Sequence, residues 1–152
     1  MRLFAIIFFC IFSFGIQSTN RPNIVLILID DLGLTDLQSY GGEISTPNIN
    51  ALAKEGMLFS NYHTTPECAP SRAMLLTGMD NHNTGIPMIP EVMPWKYRDT
   101  PGYEGYLRED ALTLAEILKP AGYKTYMTGK WHLAFGGEET CLLYTSDAAD
   151  EH

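Results

Sequence analysis

The chain has 152 residues, with 18 acidic side chains against 10 basic ones and a formal charge of −8. That length holds one modest domain, and the lack of any basic run or basic–aromatic patch argues against nucleic acid as a partner. Acidity alone selects no other partner.

The chain opens on Met1-Arg2, and Leu3 to Ile16 is almost wholly apolar. A positive start and a short apolar region predict a secretory signal peptide over residues 1–18. It is too short for a membrane span, so no stable span is expected after cleavage and the product is secreted or periplasmic. Cys10 lacks the small residues that a lipoprotein signal places before it. At the other end, Cys141 to Glu151 resembles a translated sequencing adapter, the alternative being an acidic solvated tail. Residues 141–152 are therefore set apart as an expected artefact, leaving 19–140 as the folded portion. Removing Asp147, Asp150 and Glu151 brings the charge to −5. Cys10 leaves with the signal and Cys141 with the tail, so Cys68 remains without a disulfide partner. An odd thiol in a secreted chain is a candidate reactive group.

Asn23 to Ile29 is a continuous branched and leucine run that ends at Asp30-Asp31. Such a run predicts a strand buried on both faces, as in a parallel sheet. Adjacent carboxylates at its end repel unless something positive lies between them. Ligands of open α/β sheets bind at the carboxyl ends of strands, so Asp30 and Asp31 are candidates for holding a hard cation. A pair of turn or capping acids is the alternative. Leu32 to Gly42, with Gly33, Gly41 and Gly42, predicts a loop with one helical turn. Thr46 to Gly56 predicts a helix, capped by Thr46, with Pro47 in its first turn and Gly56 at its end. Met57 to Tyr62 predicts a second strand.

Cys68-Ala69-Pro70-Ser71-Arg72 leads into a short apolar run closed by Gly78. Proline favours the first turn of a helix and glycine the position past its end. Cys68 is therefore expected at a helix N-terminus, where unpaired N–H groups favour anions and activate a thiol. Arg72 adds a fixed positive charge one turn on. Taken alone, Cys68 also fits a buried structural thiol. His82 reads first as a loop histidine that orders the backbone, with a ligand or acid–base group as the alternative. Prolines 87, 90, 94 and 101 make residues 87–101 an irregular surface excursion. With it, Trp95, Tyr97, Tyr103 and Tyr106 either face an aromatic substrate or pack a rim. Asp110 is expected to cap a helix through Leu118, and Tyr123 to Thr128 to form a third strand. Lys130 and His132 then leave a strand end as Asp30 and Asp31 do. With parallel strands, all four gather on one sheet edge beside Cys68.

Three strings together resemble the sulfatase family: Arg21 to Asp31, Cys68 to Gly78 with its Cys-x-Pro-Ser-Arg core, and Gly129-Lys130-Trp131-His132-Leu133. Pro101 to Leu107 is similar to bacterial arylsulfatases in particular. Ala134 stands where the family usually has glycine. The resemblance covers roughly Arg21 to Phe135. It implies the alkaline-phosphatase-like fold, an α/β arrangement with a mostly parallel sheet flanked by helices, of which this chain would be the N-terminal portion. It implies hydrolysis of small-molecule or saccharide sulfate esters. Cys68 would be oxidised to formylglycine by a formylglycine-generating enzyme, and Asp30, Asp31 and residue 68 would bind calcium. Arg72, Lys130, His132 and residue 68 would form the catalytic set: one hydroxyl of the hydrated aldehyde attacks sulfur, and loss of the second hydroxyl's proton expels sulfate. The family draws further calcium ligands, another lysine and another histidine from later sequence, so this chain alone is expected to be inactive. Two other readings stay open: a metal-dependent phosphoester or phosphonate hydrolase of the same superfamily, and a non-catalytic secreted binding module with unmodified Cys68.

Overall fold

A computed structural model describes residues 21–98 and 100–134. The signal peptide expected over 1–18 and the tail over 141–152 lie outside these residues. Four α-helices are present among the described residues: α1 (Pro47–Glu55), α2 (Cys68–Thr77), α3 (Asn81–Thr84) and α4 (Leu114–Leu118), with short 3-10 turns before, between and after them.

Helix α2 is the centre of the packing. It begins at Cys68, and Gly78 ends it with φ 69°, in the left-handed region that glycine enters without a Cβ clash. Its inward face is small: Ala69 and Ala73 are fully buried and join Ile86 and Leu133 in the core. Leu76, Ile89, Leu107 and Trp131 pack around them. Small residues on the helix let the following loops approach closely. Gly85 is one such approach, where an added Cβ would lie 2.7 Å from the carbonyl oxygen of Tyr106. Gly105 donates its N–H to Gly85 O and Leu107 donates to Leu133 O. These bonds tie Gly105 to the end of α3 and Leu107 to the segment after Gly129.

The expected parallel sheet is not formed among the described residues. Residues 23–29, 57–62 and 123–128, read as strands, carry no ladder there. Their side chains are open: Val25 is 80% exposed and Ile27 73%. An apolar run of this kind becomes a strand only when neighbours pair its backbone and cover both faces, and no described residue does so. Helix α1 is similarly uncovered, with Leu52 on its apolar face exposed.

Two helix starts differ in detail from expectation. Thr46 makes no cap bond to α1; its hydroxyl accepts from Gln38 N–H and donates to Asn50 Oδ1, tying the helix to the preceding loop. Asp110 caps nothing. Its carboxylate takes a fork of two bonds from Arg108, at 2.9 and 2.8 Å, and α4 starts later, at a Thr113–Glu116 capping box. Helix α3 falls where a loop was expected, capped by Asp80, whose carboxylate accepts from His82 N–H.

Candidate active site

Cys68 occupies the first residue of α2, with Glu67 as the N-cap. It is half-buried and free of any disulfide. The side chains facing its sulfur come from far along the chain. His132 Nδ1 lies 3.3 Å from Sγ, and Lys130 Nζ lies 3.6 Å away.

Lys130 reaches Sγ while paired with Asp30, whose Oδ2 accepts from Nζ at 2.7 Å. The other oxygen, Oδ1, accepts from Arg72 Nη2 at 3.1 Å. Arg72 also donates Nη1 to the Lys130 carbonyl at 2.7 Å. One buried guanidinium thus links the second turn of α2, the end of the 23–29 run and the segment after Gly129. Planar, multiple donors suit arginine to this junction, and a lysine could not span it. Arg72 Nε is buried without a partner among the described residues.

The electrostatics follow from these pairs. Lys130 and then Arg72, hydrogen-bonded to Asp30, hold its carboxyl below the usual carboxylate range. Asp30 in turn raises Lys130 above the usual lysine value, and the Cys68 side chain adds to that rise. Both groups are held charged at neutral pH.

Asp31 lines the same cleft, a cavity of about 250 Å³ bordered also by Asp30, Thr65, Cys68, Ser71 and Arg72. No cation among the described residues pairs with the Asp31 carboxylate. Asp31 and His132 both have positive φ, 54° and 58°. The polar rim beside Cys68 is fixed by Thr65, whose hydroxyl donates to Glu67 O at 2.8 Å and shares a 2.7 Å bond with the Ser71 hydroxyl.

Asp30, Arg72, Lys130 and His132 therefore converge on Cys68, and Asp31 borders the cleft beside it. As a calcium cradle, the two carboxylates fit in kind, since the ion takes hard oxygen donors, usually six to eight. They do not complete it: among the described residues no group of three His, Cys, Asp or Glu side chains could hold a metal ion.

Other candidates stand elsewhere. His82 packs edge-on against the Tyr103 ring and lies 3.6 Å from Asp80. Tyr103 stacks with Tyr97, and Arg98 covers Trp95, so these aromatics form part of the excursion's own packing. Tyr106 is exposed. None of them borders the cleft.

One residue at the site escaped the sequence reading. Glu91, in the 3-10 turn Pro90–Val92, accepts from His132 Nε2 at 3.1 Å. Burial raises the Glu91 carboxyl, but a bond from its own backbone N–H and the His132 ring outweigh that and hold it below the usual range.

A family model described as Sulfatase matches residues 22–148. An uncharacterized sulfatase of Schizosaccharomyces pombe is 48% identical over 118 residues, which is 76% of this chain and 21% of that protein. An arylsulfatase of Klebsiella aerogenes is 48% identical over 119 residues, 76% of this chain and 25% of the relative. An N-acetylgalactosamine-6-O-sulfatase of Bacteroides thetaiotaomicron is 41% identical over 126 residues, 79% and 22% respectively. The chain spans between 21% and 25% of the length of these curated relatives.

Proposed function

This chain belongs to the sulfatase family, and from that premise we propose that it is the N-terminal part of a secreted or periplasmic enzyme that hydrolyses sulfate esters. The family domain implies the alkaline-phosphatase-like fold. The observation that carries the proposal is the meeting of His132 Nδ1 and Lys130 Nζ at the Cys68 sulfur, with Asp30 clamped between Lys130 and Arg72.

The roles follow from that geometry. Lys130, held charged by Asp30, faces the atom that residue 68 presents and favours negative charge developing there. His132 stands within proton-transfer reach of the same atom through Nδ1. Arg72 keeps Asp30 and the Lys130 backbone in register. Oxidised to formylglycine and hydrated, residue 68 would offer one hydroxyl to attack sulfur and a second whose deprotonation expels sulfate; a thiol has no such second group. Asp30 and Asp31 would hold calcium, which when bound neutralises sulfate oxygens and acidifies a neighbouring hydroxyl.

The likeness to arylsulfatases and to a sugar sulfatase supports a small-molecule or saccharide sulfate ester as substrate. The oxidation at Cys68 requires a formylglycine-generating enzyme as an upstream partner. No helix among the described residues is long and apolar enough to cross a membrane.

The test uses the full-length protein, produced in a host that carries the oxidising enzyme. Mass spectrometry of the peptide spanning Cys68 is expected to show the aldehyde, and an aryl sulfate is expected to turn over faster than the matching aryl phosphate. A thiol that still alkylates would support a non-catalytic binding module. Faster phosphate turnover would support a phosphoester or phosphonate hydrolase of the same superfamily.

A further inference from the structure

We propose that Glu91 is a positioning residue, which fixes the His132 ring with Nε2 protonated and Nδ1 turned as a base toward residue 68. This rests on the sulfatase reading for its catalytic consequence, though not for its geometry.

The two ring nitrogens of His132 are both engaged, 3.1 Å from Glu91 Oε2 and 3.3 Å from Cys68 Sγ. An ionised carboxylate only accepts hydrogen bonds, so the Nε2 facing it carries the proton. In the neutral ring Nδ1 then keeps its lone pair and can only accept. The atom it faces is Sγ, which stands where the hydroxyl oxygens of an oxidised and hydrated side chain would be. A proton leaving that hydroxyl passes to Nδ1, its O–H bond breaking as the N–H bond forms, and the Glu91 carboxylate compensates the positive charge of the resulting imidazolium.

Glu91 can do this only if its turn is held still, and three contacts hold it. The Glu67 carboxylate accepts from Ile89 N–H at 2.8 Å, tying the start of the turn to the residue before Cys68. Pro90 is fully buried and its ring fixes φ. Met93 is buried at the end of the turn, its methyl 2.8 Å from where a Cβ on Gly105 would lie. The carboxylate is therefore carried by a turn anchored at both ends, one end of it on the helix cap that bears Cys68. Glu91 is half-exposed and His132 is 15% exposed, so the ring is the better shielded member of the pair.

The experiment compares full-length wild type with Glu91→Ala, Glu91→Gln and Glu91→Asp on a series of aryl sulfates. Glu91→Ala is expected to lower kcat by roughly 10- to 100-fold, by analogy with the loss of a carboxylate that orients a metal-bound histidine, with KM changed less than about 2-fold. Glu91→Asp is expected to recover part of the loss, and Glu91→Gln, neutral and able to donate to Nε2, very little. Nitrogen-15 NMR of labelled histidine, with the His132 signals assigned by their absence in His132→Gln, reads the tautomer directly. Wild type is expected to show protonated Nε2, and Glu91→Ala a mixture. An unchanged tautomer together with unchanged kcat in Glu91→Ala would overturn the proposal. If wild type hydrolyses no sulfate ester, the sulfatase reading fails instead, and the NMR comparison still decides whether Glu91 sets the ring.

Discussion

Arg72 Nη2 and Asp30 Oδ1 stand 3.1 Å apart, joining residues separated by 42 positions in sequence. The same guanidinium holds the Lys130 carbonyl at 2.7 Å. The three sequence strings that resemble one family are thus tied by a single side chain, which makes Arg72 a structural junction.

Arg72→Lys in the full-length protein is expected to lower activity at least about 100-fold, the scale of losing one preorganised charge-stabilising donor. Losing the bond to the buried-side Lys130 carbonyl is expected to cost about 1–3 kcal/mol. Urea denaturation measures the second effect, and an unchanged midpoint would show that Arg72 acts on the ligand alone.

The Asp30 clamp has a defined pH window. Asp30 is lowered in the folded state, so its contribution is present above its unfolded value near 4 and fades as pH falls through the lower folded value. Lys130 is raised, so its share is complete below about 10 and fades as pH climbs through the higher folded value. Urea midpoints of wild type and Asp30→Asn, taken in chelator, are expected to differ by a constant amount between about pH 5 and 9 and to converge below about pH 4. A gap that persists in acid would mean that the clamp does not depend on charge.

Calcium removal separates the two acids. In full-length protein, Asp31→Asn is expected to weaken calcium binding at least about 10-fold, by loss of a charged ligand, and to leave the Lys130–Asp30–Arg72 pairs intact. Isothermal titration checks the affinity, and chelator is expected to abolish activity in wild type. Equal calcium affinity in both proteins would remove Asp31 from the ligand set.

The 152-residue chain by itself leaves Ile24 to Ile29 between 42% and 80% exposed. Each such side chain forgoes part of the roughly 1.5–3 kcal/mol that full burial brings. The isolated chain is expected to bind a hydrophobic dye, melt without a sharp transition and turn over no sulfate ester. A cooperative melt or measurable turnover by this chain would contradict that.

Much of the site could be read from local pattern. Cys68, Pro70 and Gly78 mark both ends of α2 through cap chemistry that needs no tertiary partner. Pro47 and Gly56 do the same for α1. The apolar run ending at Asp30-Asp31 was legible as a strand candidate, but a ladder is a property of pairs of segments, and no described residue pairs with it. Helix α4 starts at Thr113 and not at Asp110, although both are good caps. The Thr113-x-x-Glu116 spacing was the deciding signal, and Arg108 had already engaged Asp110. Glu91 left no trace, since its partner lies 41 residues away and its turn is irregular.

The backbone at Asp31 and His132 screens what evolution or an experimenter can place there. Aspartate, asparagine and histidine enter the left-handed region with modest strain, whereas a β-branched residue does not. Asparagine therefore separates charge from shape at residue 31, and a valine at either position would report a distorted loop rather than a missing functional group.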